Sequence, residues 1–139
     1  MKTSVVKLRQ VNASDLKFLY NLLKERDPVA NISHIKMPSY QEHVKFVKSK
    51  PYSKWYVIYH NSRKIGSVYL SKQDEIGIFL KKEFQSKGLS KEAVEILIEK
   101  NPRSRYLANV SPKNLSSRKF FKKQGFKLIQ YTYELRKKI

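Results

Sequence analysis

The sequence predicts an α/β (α+β) domain of three layers, α-β-α, built around a central mixed, mostly antiparallel sheet. Three observations lead there. Apolar residues recur at helical spacing in some segments and as β-branched and aromatic runs in others. The segments then follow one another as strand, two helices, three strands, helix, strand, helix, strand. That order gives an antiparallel run followed by a β-α-β crossover, with helices available for both faces. Finally, 139 residues with 40% hydrophobic and 12% aromatic content suit one compact domain spanning residues 1–139.

Val5 to Leu8 reads as a short first strand. Asn12 and Ser14 are both candidate caps for the helix that follows, Asp15 sits in its first turn, and Leu16, Leu19, Tyr20, Leu22 and Leu23 keep helical spacing up to about Glu25. Pro28 ends that helix. After a polar stretch, Tyr40 to Lys48 is a second helix, with Val44, Phe46 and Val47 on or near its apolar side. Trp55 to Tyr59 is aromatic and β-branched, and a turn at 60–64 feeds Ile65 to Leu70, the second strand of a hairpin. Glu75 to Leu80 is a third strand whose continuous apolar run suits the centre of a sheet. A helix from Leu89 to Glu99 turns Ala93, Val94, Ile96, Leu97 and Ile98 to the core. Tyr106 to Val110 is again a strand. Ser116 to Gln124 is a short helix stopped by Gly125, and Phe126 to Leu135 finishes as a strand.

Composition removes several classes of function. The absence of cysteine excludes disulfides, thiolate metal sites and cysteine nucleophiles. The stretch from Met1 to Lys7 lacks the apolar run of a secretory leader, and no window approaches the ~20 apolar residues of a membrane helix. A cytoplasmic protein without membrane association is therefore expected. The charge is unusual: 30 Lys plus Arg against 11 Asp plus Glu leave +19. Such a field attracts polyanions. The excess lysines flank nearly every apolar segment, which favours a solvated surface with one anionic small-molecule site over a nucleic-acid surface. The aromatics fall in apolar runs, not in basic-aromatic stripes, and so argue against a plain RNA-binding domain.

The segment with the most chemistry joins the third strand of the central run to the next helix, from Phe84 to Ala93. A strand ends, a polar turn with Gly88 follows, and a helix begins at once. First-turn amides are unpaired and lie at the positive end of the helix dipole, so a phosphate can approach the backbone where residues are small. Lys87 adds a positive charge beside it. An ordinary turn is the competing reading of this stretch taken alone.

Gln85, Gly88 and Ser90 stand at the three defining positions of Arg/Gln-x-x-Gly-x-Gly/Ala, the pyrophosphate-binding pattern of GNAT acetyltransferases, which this loop resembles. Downstream, Asn109 to Phe126 resembles the second hallmark of that family: an Asn, a short helix with an aromatic pair (Phe120, Phe121), then Gly125-Phe126. The resemblance runs from Lys7 to Leu135. It implies an N-acetyltransferase that moves an acetyl group from acetyl-CoA, bound as co-substrate, to a primary amine in a ternary complex. It places the pyrophosphate on the amides of Gln85, Ser86, Lys87, Gly88, Leu89 and Ser90, and the pantetheine arm along Ile78, Phe79 and Leu80. Asn109, Asn114, Phe121 and Lys122 or Lys123 complete the cofactor side, and no metal is implied. Two positions depart from the family. Ser90 replaces the usual Gly or Ala, and Phe121 stands where many members carry the tyrosine that protonates the leaving thiolate. A phenyl ring has no proton to donate.

Attack by an amine requires a base. Glu75 lies close to where part of the family places one, with an exposed strand-end carboxylate as the competing reading. His34 and His43 flank the region where the family builds its acceptor pocket, and Tyr131 and Tyr133 alternate on the last strand so as to line the pocket or pack in the core. Segments 24–28, 32–34 and 41–46 are similar to GNATs acting on nucleotide-linked amino sugars. That similarity implies a small-molecule amine acceptor whose diphosphate meets Arg26, Lys36 or Trp55. The alternatives are a protein N-terminus, a lysine or an RNA-linked amine as acceptor, or a non-catalytic acyl-CoA-binding module. Monomer and homodimer both remain open.

Overall fold

The computed structural model describes residues 5–26 and 37–138. Four strands form one antiparallel sheet in the order β1-β2-β3-β4: β1 Val6–Gln10, β2 Lys54–His60, β3 Arg63–Leu70 and β4 Ile76–Leu80. The β2–β3 hairpin turns on Asn61 and Ser62 alone, tighter than the 60–64 turn expected, with φ of 48° and 71°. Positive φ at both central residues matches the right-handed twist of the strands, and Asn adopts it readily. A bulge between Ile58 and Tyr59 shifts the register near that turn.

Leu8, Tyr56, Ile58, Val68, Leu70 and Ile76 point to one face of the sheet. There they meet Leu89, Ala93, Val94 and Leu97 of α3 (Leu89–Lys100) and Phe121 of α4 (Leu115–Lys123). Ile96 and Ile98 are only half-buried on the flanks of α3. The opposite face carries α1 (Leu16–Glu25) and α2 (Tyr40–Lys48). The tie to that face is explicit: Lys64 on β3 pairs with Asp15 at 2.6 Å, and Asp15 is buried at the start of α1. Asn12 is the cap that forms. Its Oδ1 accepts from the Ser14 amide while the Asp15 carboxylate accepts from the Asn12 amide. α2 starts with a reciprocal capping box between Ser39 and Glu42. Its buried residue is His43, with Val44 and Val47 half-buried and Phe46 at the rim. Pro28, the expected stop of α1, lies outside the described residues.

Two expected strands differ in the structure. Residues 106–110 touch the sheet at one parallel bridge, Glu75 to Leu107, and form no ladder. Residues 126–135 form no strand at all. Leu128, Ile129, Tyr131, Tyr133 and Leu135 are 64–90% exposed, so neither tyrosine lines a pocket within this chain or packs in its core. The departure begins at Gly125, where φ of 94° and the Phe126 amide bonding back to the Phe121 carbonyl end α4 in a left-handed cap. Among the described residues no helix is long and apolar enough to cross a membrane.

Candidate active site

The sheet stops being a sheet at the far edge of β4. Leu107 donates to the Asp74 carbonyl at 3.0 Å and accepts from the Ile76 amide at 2.7 Å, and no further backbone bond ties β4 to 108–110 among the described residues. The two segments therefore meet at Glu75–Leu107 and separate beyond it. Backbone groups alternate sides along a strand. Since Ile76 bonds outward to Leu107, Ile78 and Leu80 direct their amides and carbonyls into the same opening, while Gly77 and Phe79 pair with β3. One of these groups is already engaged, because the Gln85 side-chain amide donates to the Leu80 carbonyl at 2.8 Å. The backbone groups of Ile78 and Leu80, expected from the sequence to meet a pantetheine arm, thus face away from β3.

The loop after β4 is built to leave amides bare. A single 3-10 turn, Lys82–Phe84, is followed by Ser86 (φ 62°) and Gly88 (φ 77°), two left-handed residues that reverse the chain into α3. Gly88 is the N-cap residue and has no side chain with which to cap. The starts of α2 and α4 are each closed by a side chain, Ser39 and Asn114, but α3 is not. Its first amides remain open at the positive dipole end, in an exposed loop beside Lys87. A β-carbon added at Gly88 would meet nothing within 4 Å, so the space over these amides is clear. The arrangement suits a diphosphate.

At the closed end of the opening sits Glu75. Its carboxylate accepts from Ser71 Oγ at 3.0 Å and from Asn109 Nδ2 at 2.6 Å, clasping the 106–110 segment to β4. Beside it, on the face carrying α1 and α2, lies an aromatic patch. Tyr52 stacks on Tyr69 (centroids 3.8 Å apart, planes within 6°), and Trp55 meets Tyr52 edge-on at 4.8 Å with Phe46 beyond. Tyr69 lies across the backbone of β4 at Gly77, where a β-carbon would collide with its ring. Burial, reinforced for Tyr52 by the Tyr69 phenol, raises both tyrosine pKa values, and the Arg26 charge works against the rise in each. Both phenols therefore stay protonated and able to donate.

Other sequence candidates are placed as follows. His43 is buried between α1 and α2, its ring 5.3 Å from that of Tyr20. Burial lowers its pKa, against a hydrogen bond to the Leu16 backbone, and no hydrogen bond joins it to Glu75. His34 and Lys36 lie outside the described residues. Asn114 Oδ1 is occupied in capping α4 through the Ser117 amide. Phe121 is a core residue, edge-on to Phe120 and Phe126. Lys122 and Lys123 are exposed at the end of α4. Trp55 belongs to the aromatic patch and donates to Ser67 Oγ at 2.7 Å. Tyr52 and Tyr69 were not singled out from the sequence. The hairpin alone would set Trp55 opposite Val68; the bulge at Ile58/Tyr59 shifts the register by one residue and brings Tyr69 to that position, which the sequence does not announce.

Comparison with known proteins gives the geometry its context. The profile of the acetyltransferase (GNAT) domain matches residues 6–127. Curated protein sequences give no match. Among solved structures, a domain from Methanocaldococcus jannaschii superposes with a TM-score of 0.81 at 23% identity, covering 95% of this chain and 94% of the other. Aminoglycoside N-acetyltransferase AAC(6')-Iy in complex with CoA follows at TM-score 0.73 and 19% identity, with 99% and 98% covered. RimL, a ribosomal L7/L12 alpha-N-protein acetyltransferase in complex with coenzyme A, reaches 0.73 at 18% identity over 90% and 81%. At these identities the likeness is one of fold. With the profile spanning most of the chain, the protein belongs to the GNAT acetyltransferase family and is an acyl-CoA-dependent N-acetyltransferase with acetyl-CoA as its co-substrate.

Proposed function

We propose that the acceptor is a small primary amine carrying an anionic, planar group, of the kind found in nucleotide-linked amino sugars. The observation that carries this reading is the stacked Tyr52–Tyr69 pair beside Glu75 at the closed end of the β4 opening, with the Arg26 charge close enough to act on both phenols. The rings offer a stacking surface and the guanidinium a diphosphate partner. The net charge of +19 works in the same direction, since it repels polycationic acceptors.

On the donor side, the open amides from Gly88 to Lys91 and the charge of Lys87 hold the pyrophosphate. The outward backbone groups of Ile78 and Leu80, with Phe79 between them, align the pantetheine, and Asn109 keeps the far wall in register. When bound, acetyl-CoA supplies the activated acyl carbon. The amine attacks that carbon: an N–C bond forms, the C–S bond breaks, and the amine proton passes to Glu75 directly or through water. Phe121 is buried in the core, so the departing thiolate takes its proton from solvent or from a group other than the family tyrosine.

The test is a set of initial rates with acetyl-CoA and four acceptors: a UDP-linked amino sugar, an aminoglycoside, spermidine, and a peptide with a free N-terminus. The UDP-linked amine is expected to give the highest kcat/KM. Arg26→Ala should raise its KM about tenfold while leaving acetyl-CoA binding within about twofold. A preference for either polycation would overturn the proposal. A preference for the peptide would move the acceptor to protein N-termini and give the basic surface a macromolecular partner.

A further inference from the structure

We propose that Ser71 and Asn109 are positioning residues for the reaction: each gives one hydrogen bond to one oxygen of Glu75, and together they fix the direction in which that carboxylate meets the incoming amine. The assignment rests on the reading of Glu75 as the group that takes the amine proton. It starts from the Ser71 hydroxyl, which has one proton and two lone pairs. The amides of Gln73 and Glu75 donate to Ser71 Oγ at 3.2 and 3.0 Å, so both lone pairs are taken. The proton then has one destination, Glu75 Oε1 at 3.0 Å. Ser71 is 8% exposed, which leaves little room for water to compete. Its backbone is held as well: the Ser71 amide donates to the Glu75 carbonyl at 2.8 Å, and the Asp74 amide donates to the Ser71 carbonyl at 3.1 Å. The turn from Ser71 to Glu75 is closed before any ligand arrives.

The second donor comes from the opposite wall. Asn109 Nδ2 lies 2.6 Å from Glu75 Oε2. The amide has to present its nitrogen there, because its oxygen would face the carboxylate acceptor to acceptor. The wall that carries Asn109 is anchored on the same turn. The Leu107 amide donates to the Asp74 carbonyl, and Arg103 Nε donates to Asp74 Oδ1 at 3.1 Å. A glutamate at a strand end ordinarily samples several rotamers. Here one donor from each wall holds it, so the ordering that proton transfer at hydrogen-bond distance requires is complete before the acceptor binds. The choice of partners separates this arrangement from a plain clasp. The chain carries 30 Lys and Arg, yet among the described residues none forms an ion pair with Glu75. Both donors are neutral and orient the carboxylate without cancelling its charge. Among the described residues no further donor reaches either oxygen, so lone pairs remain for an incoming proton. The Glu75 charge also acts on the Tyr69 phenol, which puts the carboxylate within reach of the stack proposed for the acceptor.

The test compares Ser71→Ala, Asn109→Asp and Glu75→Gln in initial rates over pH, with acetyl-CoA and whichever of the four acceptors is turned over fastest. Ser71→Ala and Asn109→Asp should each lower kcat about 10–100-fold, with acceptor KM and the calorimetric affinity for acetyl-CoA within about twofold. The acid limb of the rate profile should move to higher pH in both, since a donor to the charged form is lost. Ser71→Thr keeps the hydroxyl and should return most of the rate. Adding Ser71→Ala to Glu75→Gln should lower kcat no further, because Ser71 acts through the carboxylate. Asn109 is exposed, so its variant carries the test even where Ser71→Ala fails to fold. Parental kcat in Glu75→Gln would remove the base, and the proposal with it. Loss in Glu75→Gln with kcat retained in Ser71→Ala and Asn109→Asp would overturn the positioning alone. A nuclear magnetic resonance readout is independent of turnover. One side-chain amide proton of Asn109 should lie downfield of its free position in the parent and return there in Glu75→Ala; a parent without that shift would overturn the contact itself.

Discussion

Gly88→Trp separates the role of the loop in binding from its role in folding. The residue adopts φ of 77° with nothing within 4 Å of an added β-carbon, so the substitution meets backbone strain but no collision. Left-handed strain in a non-glycine residue costs roughly 1–2 kcal/mol. For a chain of this length that lowers the thermal midpoint by about 3–10 °C, within the 5–15 kcal/mol of a typical domain. The indole meanwhile occupies the approach to the first amides of α3. Losing two charge-assisted hydrogen bonds to a pyrophosphate, at about 1.5–3 kcal/mol each, weakens acetyl-CoA by at least 100-fold. Calorimetric titration reads the affinity and thermal denaturation reads the fold. Gly88→Asn serves as the strain control, because asparagine enters the left-handed region readily. A folded Trp variant that binds acetyl-CoA within about threefold of the parent would refute the assignment of the pyrophosphate to this loop.

Asp15→Ala removes both the Lys64 partner and the acceptor for the Asn12 amide, and should destabilise the fold by about 2–3 kcal/mol in urea denaturation. The hydrogen bond to Asp15 raises the pKa of Lys64, so the contribution of the pair is complete below the unfolded lysine value of ~10.4. It fades as pH rises through the higher folded value, and parent and variant should converge only in strong alkali. Gly77→Ala drives a β-carbon into the Tyr69 ring. It should cost about 1–3 kcal/mol and disturb the Tyr52–Tyr69 stack, visible in near-ultraviolet circular dichroism; an unchanged spectrum and midpoint would contradict the close approach. Glu75→Gln should lower kcat by about 100-fold or more if the carboxylate takes the amine proton, whereas an effect confined to KM would leave it as a clasp only.

Much of this was legible in the sequence because it is written in local rules. The hairpin and the glycine at the start of α3 each follow from a few adjacent residues. The loop proposed for the pyrophosphate stands out for the same reason: Gln85, Gly88 and Ser90 lie within a few residues of one another. The clasp was not, since Ser71, Glu75 and Asn109 come together only once the 106–110 segment docks on β4. His43 misled for a similar reason. A histidine between Glu42 and Lys45 on a short helix reads as accessible, and only the packing of α2 on Tyr20 and Leu16 buries it. The alternation of apolar and polar residues after Gly125 reads as a strand, but 126–135 pair with no strand in the structure, and an alternating pattern does not supply the partner that a strand needs.

The splay between β4 and 106–110 also bears on how the protein opens. β2 and β3 are joined along their whole length, while Leu107 is held to the sheet edge by two backbone hydrogen bonds. The two walls of the opening thus belong to cooperative units of unequal stability, and the weaker one carries Asn109. Amide hydrogens at Ile76 and Leu107 should exchange through local opening, well before those of β2 and β3, which wait for global unfolding. Substrate that bridges the walls will slow the first class and leave the second unchanged.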